Sequence, residues 1–230
     1  MGHRGEGLRI ACVSASNTGL PEEKSTSIRV CNKIREMVTD MGMPEAVIEI
    51  LPLRDYDLKP CTLCGACSKS GECVYDGEFN KVRMALEHAQ GIFLVIPHHS
   101  PIPSKLLMLL EKINEITYGG WINDPDYQSP FCGKPIGIIG HGGMAESAEV
   151  LRYYHDQLVT PVANTLRSLS LRVIGPGGDY PGGAVFGLKD DNCIRKTQQG
   201  VFPEIIQDWP VIEERIRPLV NNVIKEIKAQ

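Results

Sequence analysis

The sequence predicts an α/β domain, a doubly wound sheet of five parallel strands in the order 2-1-3-4-5 with helices on both faces. Three observations carry this expectation. Strand-like and helix-like segments alternate five times along the 230 residues. The first strand segment, residues 8–14, reads as a short apolar run with a β-branched component, as a buried parallel strand does. Small and hydroxyl residues follow the carboxyl ends of those runs, where such sheets bind ligands.

Taken in order, residues 8–14 (LRIACVS) form the first strand and open into a polar loop. Residues 25–41 carry Ile28, Cys31, Ile34, Met37, Val38 and Met41 at helical spacing, with Ser25, Thr26 or Ser27 as N-cap. Residues 46–51 are the second strand. An irregular stretch over about 54–77 precedes a helix at about 78–90. Residues 91–97 (GIFLVIP) are the third strand, and 104–117 the helix after it. A polar insertion at 118–133, containing Trp121 with several Pro and Asp residues, reads as a lid or an oligomer contact. Residues 134–140 (KPIGIIG) are the fourth strand, about 145–168 a long helix, 171–175 the fifth strand and about 210–228 a closing helix. The whole of 1–230 reads as one domain.

Composition narrows the function classes. The apolar share is 42% and the charged share 23%, ordinary for a soluble globular chain. A net charge of −4 offers no basic field for nucleic acid or an anionic membrane. No apolar run reaches the roughly 20 residues of a membrane span. Residues 1–7 are polar and Gly-rich, a short disordered lead and not a targeting segment, so the expected compartment is the cytoplasm. Eight cysteines in a reducing compartment point to metal or redox chemistry. Cys12, Cys31, Cys132 and Cys193 are scattered and are expected to be buried, inert thiols.

The remaining four make the strongest chemical signal: Cys61-Thr-Leu-Cys64-Gly-Ala-Cys67-Ser-Lys-Ser-Gly-Glu-Cys73. Two successive two-residue gaps place three thiolates around one small volume, and a five-residue excursion brings the fourth. Compact runs of this kind wrap a [4Fe–4S] cluster. Gly65 lets the backbone fold tightly between ligands, and Pro60 stiffens the entry. A structural zinc site is the competing reading. Zinc usually joins two well-separated Cys-x-x-Cys knuckles, whereas here three ligands crowd into seven residues, which suits a cubane better.

Three loops supply candidate cofactor contacts. After the first strand, Ser14, Ser16, Asn17 and Thr18 precede Ser25, Thr26 and Ser27 at a helix start. Hydroxyls and free helix N–H groups there make an anion site without a lysine clamp. Neither GxGxxG nor a P-loop lysine motif is present, which weakens dinucleotide and triphosphate readings. After the third strand come Pro97, His98, His99, Ser100 and Ile102, and after the fourth come Gly140, His141, Gly142 and Gly143. Glycine there allows a planar ring system to approach the backbone. Solvated loop histidines are the plain alternative for His98, His99 and His141.

With these segments in order, the chain resembles the iron–sulfur flavoprotein family, a branch of the flavodoxin-like NAD(P)H-dependent FMN reductases. The likeness covers roughly residues 8–178. Its most specific part is the compact Cys61–Cys73 motif between second strand and second helix, followed by Val74-Tyr75-Asp76. Gly133-Lys134-Pro135, and Pro97 with Leu107, fit as well. The resemblance implies FMN, with its phosphate near Ser14, Ser16, Thr18, Ser25, Thr26 and Ser27. It implies the isoalloxazine between the 97–102 and 140–143 loops, the cluster on Cys61, Cys64, Cys67 and Cys73 nearby, and homo-oligomers, dimer or tetramer, whose neighbouring subunits complete the flavin sites. Members usually have Pro-Val-Tyr followed by Gly where this chain has Pro97-His98-His99 and Pro101, and a Gly-Ser-Pro-Arg opening that the phosphate loop here lacks. The expected function is a redox flavoprotein that passes electrons between cluster and FMN, with ferredoxin or NAD(P)H as donor. His98 and His99 are the candidate proton-handling residues. The rivals are an NAD(P)H-dependent FMN or quinone reductase with a structural metal site, and a non-enzymatic redox carrier or sensor.

Overall fold

The computed structural model describes residues 7–195 and 204–230, so all but the last residue of the expected N-terminal lead lies outside the described residues. The elements are β1 (Arg9–Ser14), α1 (Thr26–Asp40), β2 (Val47–Pro52), α2 (Cys67–Ser70), α3 (Gly77–His88), β3 (Gly91–Pro97) and α4 (Ser104–Asn123). They continue with β4 (Pro135–Ala145), α5 (Ala148–Tyr154), α6 (Thr160–Ser168), β5 (Arg172–Ile174), β6 (Ala184–Leu188), β7 (Ile194–Arg195), β8 (Glu204–Ile205) and α7 (Trp209–Lys228).

The central sheet is parallel with the expected order β2-β1-β3-β4-β5. Alternation along β1 sorts the core into two layers. Ala11 and Val13 face Phe79, Val82, Leu106 and Leu109 of α3 and α4, with Val162 and Leu166 of α6. Ile10 and Cys12 face Ile34 and Val38 of α1 and Ile216, Leu219 and Val223 of α7. β3 is buried along its whole length, as its unbroken apolar run requires.

Four features depart from the sequence reading. The helix after β3 runs to Asn123, so the first part of the expected 118–133 insertion is helical. Gly119 and Gly120, inside the helical extension, are close-packing positions. A Cβ on Gly119 would lie 2.7 Å from the Ser68 Cα of α2, and one on Gly120 would lie 2.6 Å from the Tyr127 ring. The expected 145–168 helix is divided into α5, a π turn over His155–Val159, and α6. Pro161, which cannot donate to the helical ladder, stands at its downstream end. The fifth strand comes in two pieces: β5 pairs with Pro135–Gly137, and β6, absent from the sequence reading, pairs parallel with β4 from Ile139 onward. Residues 175–183 leave the sheet between them. Finally, β4 runs on to Ala145, so Gly140–Gly143 belong to a strand and not to a loop.

Candidate functional site

The cysteine segment is a built structure held from two sides. Asn80 of α3 accepts from the Cys73 amide at 2.9 Å and donates to the Cys73 carbonyl at 2.8 Å. Glu111 of α4 accepts from the Cys61 amide at 3.1 Å, and Asn123 donates to the Ser68 carbonyl at 2.7 Å. Asp76 caps α3 by accepting from the Phe79 amide and also receives the Lys59 amide, each at 2.9 Å. Its carboxylate pairs with Lys112 of α4, and the side chains are only 2% and 4% exposed. Burial alone would raise the Asp76 carboxyl, but Lys112 and the two amides outweigh it and hold it below its ordinary range. Left-handed backbone at Leu63, Gly65 and Gly71 lets the chain double back between the cysteines.

Cys61, Cys64, Cys67 and Cys73 all line one cavity of about 280 Å³, which Ile116, Glu115, Lys112 and Asp76 also line. The room far exceeds what a single bound water needs. Among the described residues, no three His, Cys, Asp or Glu side chains converge to hold a metal ion. The four thiols therefore share a chamber without meeting at one point. The Leu63 amide donates to the Cys61 sulfur at 3.4 Å, the kind of contact that stabilises a thiolate ligand. Burial, followed by the neighbouring thiols Cys61, Cys64 and Cys73, raises the Cys67 thiol. Of the scattered cysteines, Cys12 and Cys31 are buried as expected. Cys132 is exposed and Cys193 half-buried, because one falls in the turn before β4 and the other beside the small β7–β8 ribbon.

The second half of the site lies at the carboxyl edge of β1, β3 and β4. Ser14 ends β1 with its hydroxyl buried and unpartnered. Ser16 and Thr18 share a hydrogen bond of 2.9 Å between hydroxyls, and the Thr18 amide donates to Ser16 Oγ at 3.3 Å. Asn17 reaches 3.1 Å to the Ser104 hydroxyl at the start of α4. Ser25 is the N-cap of α1 by position, but its side chain makes no capping bond; Thr26 is half-buried in the first turn. Ser27 turns inward to His141, 2.8 Å from Nε2.

His141 is thus packed inside the sheet layer and stacked on Phe186 with centroids 5.2 Å apart. Burial, with a smaller push from His99, lowers it to about 3, so it stays neutral. Gly140 makes room for Val159, and Gly142 for the ring of Tyr154; only Gly143 faces open space. The Tyr154 hydroxyl accepts from the Met144 amide at 3.0 Å. Pro97 is buried at the end of β3, paired in register with His141. His98 bonds the exposed Tyr153 hydroxyl at 3.0 Å, and burial followed by His99 pushes it below its ordinary value. His99 and Ser100 are exposed in a tight turn, with Ser100 at a left-handed φ of 58°, and Ile102 packs on the core. Tyr153 and Tyr154, the last residues of α5, escaped the sequence reading; an adjacent aromatic pair within the expected long helix was their only signal.

Helix α4 joins the two halves. Its first residue, Ser104, meets the loop after β1, and Glu111 meets Cys61. Seven residues of helix separate them, roughly 10 Å at 1.5 Å per residue.

Known proteins resemble this chain in sequence and in fold. A family model described as NADPH-dependent FMN reductase matches residues 8–172. An iron–sulfur flavoprotein of Methanocaldococcus jannaschii is 23% identical over 108 residues, 46% of this chain and 53% of that protein. The chain thus spans about half the length of the curated relative it matches. An oxidoreductase from Corynebacterium diphtheriae superposes with TM-score 0.57 at 16% identity, covering 98% of this chain and 100% of that one. RosB with bound 8-demethyl-8-formylriboflavin-5′-phosphate superposes with TM-score 0.58 at 12% identity, covering 97% of this chain and 80% of that one. These likenesses show the fold.

Proposed function

Since the chain belongs to the NADPH-dependent FMN reductase family and is an oxidoreductase of flavodoxin-like fold, we propose that it passes electrons between an FMN at the β1–β3–β4 edge and a [4Fe–4S] cluster on Cys61, Cys64, Cys67 and Cys73. One observation carries the cluster reading: all four motif cysteines open on a single roomy cavity, on a loop tied to α3 and α4. A chamber with thiols around its wall suits a multi-iron core better than one tetrahedral ion. Lys112 and Asp76 line the same cavity as a buried ion pair whose charges offset each other.

When bound, FMN supplies one- and two-electron chemistry and the cluster single electrons. The chain supplies the rest. Ser14, Ser16, Thr18 and the first turn of α1 offer hydroxyls and N–H groups to a phosphate. His98 and Tyr153 form a hydrogen-bonded pair at the open end of β3, placed to give or take a proton. NAD(P)H is the candidate donor, ferredoxin the alternative. No helix among the described residues is long and apolar enough to cross a membrane. Exposed Tyr118, Trp121 and Ile122 of α4, with Leu63 and Tyr75 of the cysteine loop, support a homo-oligomer contact.

The test is anaerobic purification with a visible spectrum and counts of iron, acid-labile sulfide and flavin per chain. About four irons and four sulfides with one FMN are expected. Stoichiometric zinc without sulfide would establish the rival, a reductase with a structural metal site.

A further inference from the structure

The loop between β1 and α1 must match a dianion if it holds a flavin phosphate, yet it is poor in positive charge. Between Ser14 and Ser27 its one cation is Lys24, exposed and preceded by Glu22 and Glu23. A cation does reach the loop, but from elsewhere in the sequence. Arg54 follows β2, and its Nη1 donates to the Leu20 carbonyl and, at 3.4 Å, to the Thr18 carbonyl. Its Nε faces Asp55 Oδ1 at 3.4 Å, and the side chain is only 13% exposed. Among the described residues, Nη2 makes no hydrogen bond. The Arg54 backbone is itself fixed, because Lys105 of α4 donates to the carbonyls of Arg54 and Tyr56 at 2.8 and 2.7 Å.

We infer that Arg54 is the phosphate-specificity residue of the flavin site: its guanidinium supplies the positive charge that the β1–α1 loop lacks and sets that loop's backbone. This rests on the proposed flavin reading. Two physical consequences follow from the geometry. A guanidinium has five donors in a planar fork, so the carbonyl bonds through Nη1 leave Nη2 for an anion oxygen. In a planar trans peptide the C=O and the next N–H point oppositely, so holding the Thr18 carbonyl toward Arg54 turns the Gly19 N–H away from it. A Cβ at Gly19 would meet nothing within 4 Å, so there is open space beside that residue. The Ser14 hydroxyl at the root of the loop is an independent sign of a ligand: the residue is 1% exposed and, among the described residues, its Oγ has no partner. Asn17, bonded to Ser104, holds the other flank.

The experiment titrates FMN and riboflavin separately into the full-length chain freed of flavin, following flavin fluorescence, for the parent, Arg54→Gln and Arg54→Lys. Riboflavin lacks only the phosphate, so the ratio of the two affinities isolates it. Arg54→Gln should weaken FMN about 10- to 100-fold, the worth of a charge-assisted hydrogen bond, and riboflavin less than about threefold. Arg54→Lys should recover part of the loss, since a point charge replaces the fork. Retained riboflavin binding also reports that the variant is folded. Equal loss of both ligands, or no loss of either, overturns the assignment to Arg54 alone. If the parent binds riboflavin as tightly as FMN, the flavin placement falls and this inference with it.

Discussion

Replacing Lys112 by Met tests what holds the cysteine loop to the domain. The change keeps the apolar stem beside Phe79, over whose ring Nζ lies at 5.2 Å, but strips Asp76 of its counter-charge. Breaking a buried pair by removing one partner typically costs 3–5 kcal/mol. Asp76 keeps the Lys59 and Phe79 amides, so the expected loss at neutral pH is near the lower end, about 3 kcal/mol. The pH dependence carries the sign. In the parent, the Asp76 carboxyl is held below its ordinary value, so its contribution is present above the unfolded value near 3.9 and is lost as pH falls through the folded one. In the variant, burial is no longer opposed by Lys112, so protonation relieves the defect and the penalty shrinks as pH falls from about 7 toward about 4. Urea unfolding followed by the fluorescence of the two tryptophans, Trp121 and Trp209, measures both quantities. The Asp76→Asn, Lys112→Met double variant should be more stable than Lys112→Met alone. A single variant within about 1 kcal/mol of the parent at neutral pH, or a penalty that grows on acidification, would refute the reasoning.

Three further outcomes are expected. Gly142→Ala should cost about 1–3 kcal/mol through collision with the buried Tyr154 ring, and Tyr154→Ala in the same chain should make the Gly142→Ala step cheaper, read as a coupling energy from a double-mutant cycle. Gly119→Ala should push α2 off α4 and speed the reaction of Cys61, Cys64 and Cys67 with a thiol reagent in metal-free protein; unchanged rates would show that this contact does not order the loop. His141, lowered to about 3 by burial, is a source of acid lability, because the unfolded chain takes up its proton near 6.5 while the folded one resists it. His141→Phe should therefore flatten the fall in stability between about pH 6.5 and about pH 4, and an unchanged slope would assign that fall to other groups.

The strand order was legible because strand and helix segments alternate, and β3 begins and ends where the apolar run GIFLVIP does. The cysteine motif was legible as a constellation, although its spacing alone says nothing of Lys112, Glu111 or Asn80, which come from helices elsewhere in the sequence and hold it. What misled was glycine. Gly140–Gly143 read as a flavin loop, since a glycine chosen for close packing looks like one chosen for a turn. In the structure, the planar ring that Gly142 admits is the chain's own Tyr154. His141 read as a loop residue because the register that buries it comes from β6, a short segment with no helix before it to announce a strand. Arg54 was not singled out, although the expected order already put β2 beside β1, because its contact is a long side chain reaching back to the Thr18 and Leu20 carbonyls, which spacing does not show.

Helix α4 carries an implication for how this chain can diverge. Its start is bonded to the first loop, its middle to Cys61 and Asp76, and its end to Ser68. Each residue of an α-helix adds a rotation of about 100° as well as a rise of 1.5 Å. Side chains along α4 can therefore drift one at a time, but a single insertion or deletion between Ser104 and Glu111 would swing one partner set around the helix axis relative to the other. Homologues that keep both attachments should vary in composition here while conserving length, and lineages that lost the cysteines would be released from that constraint.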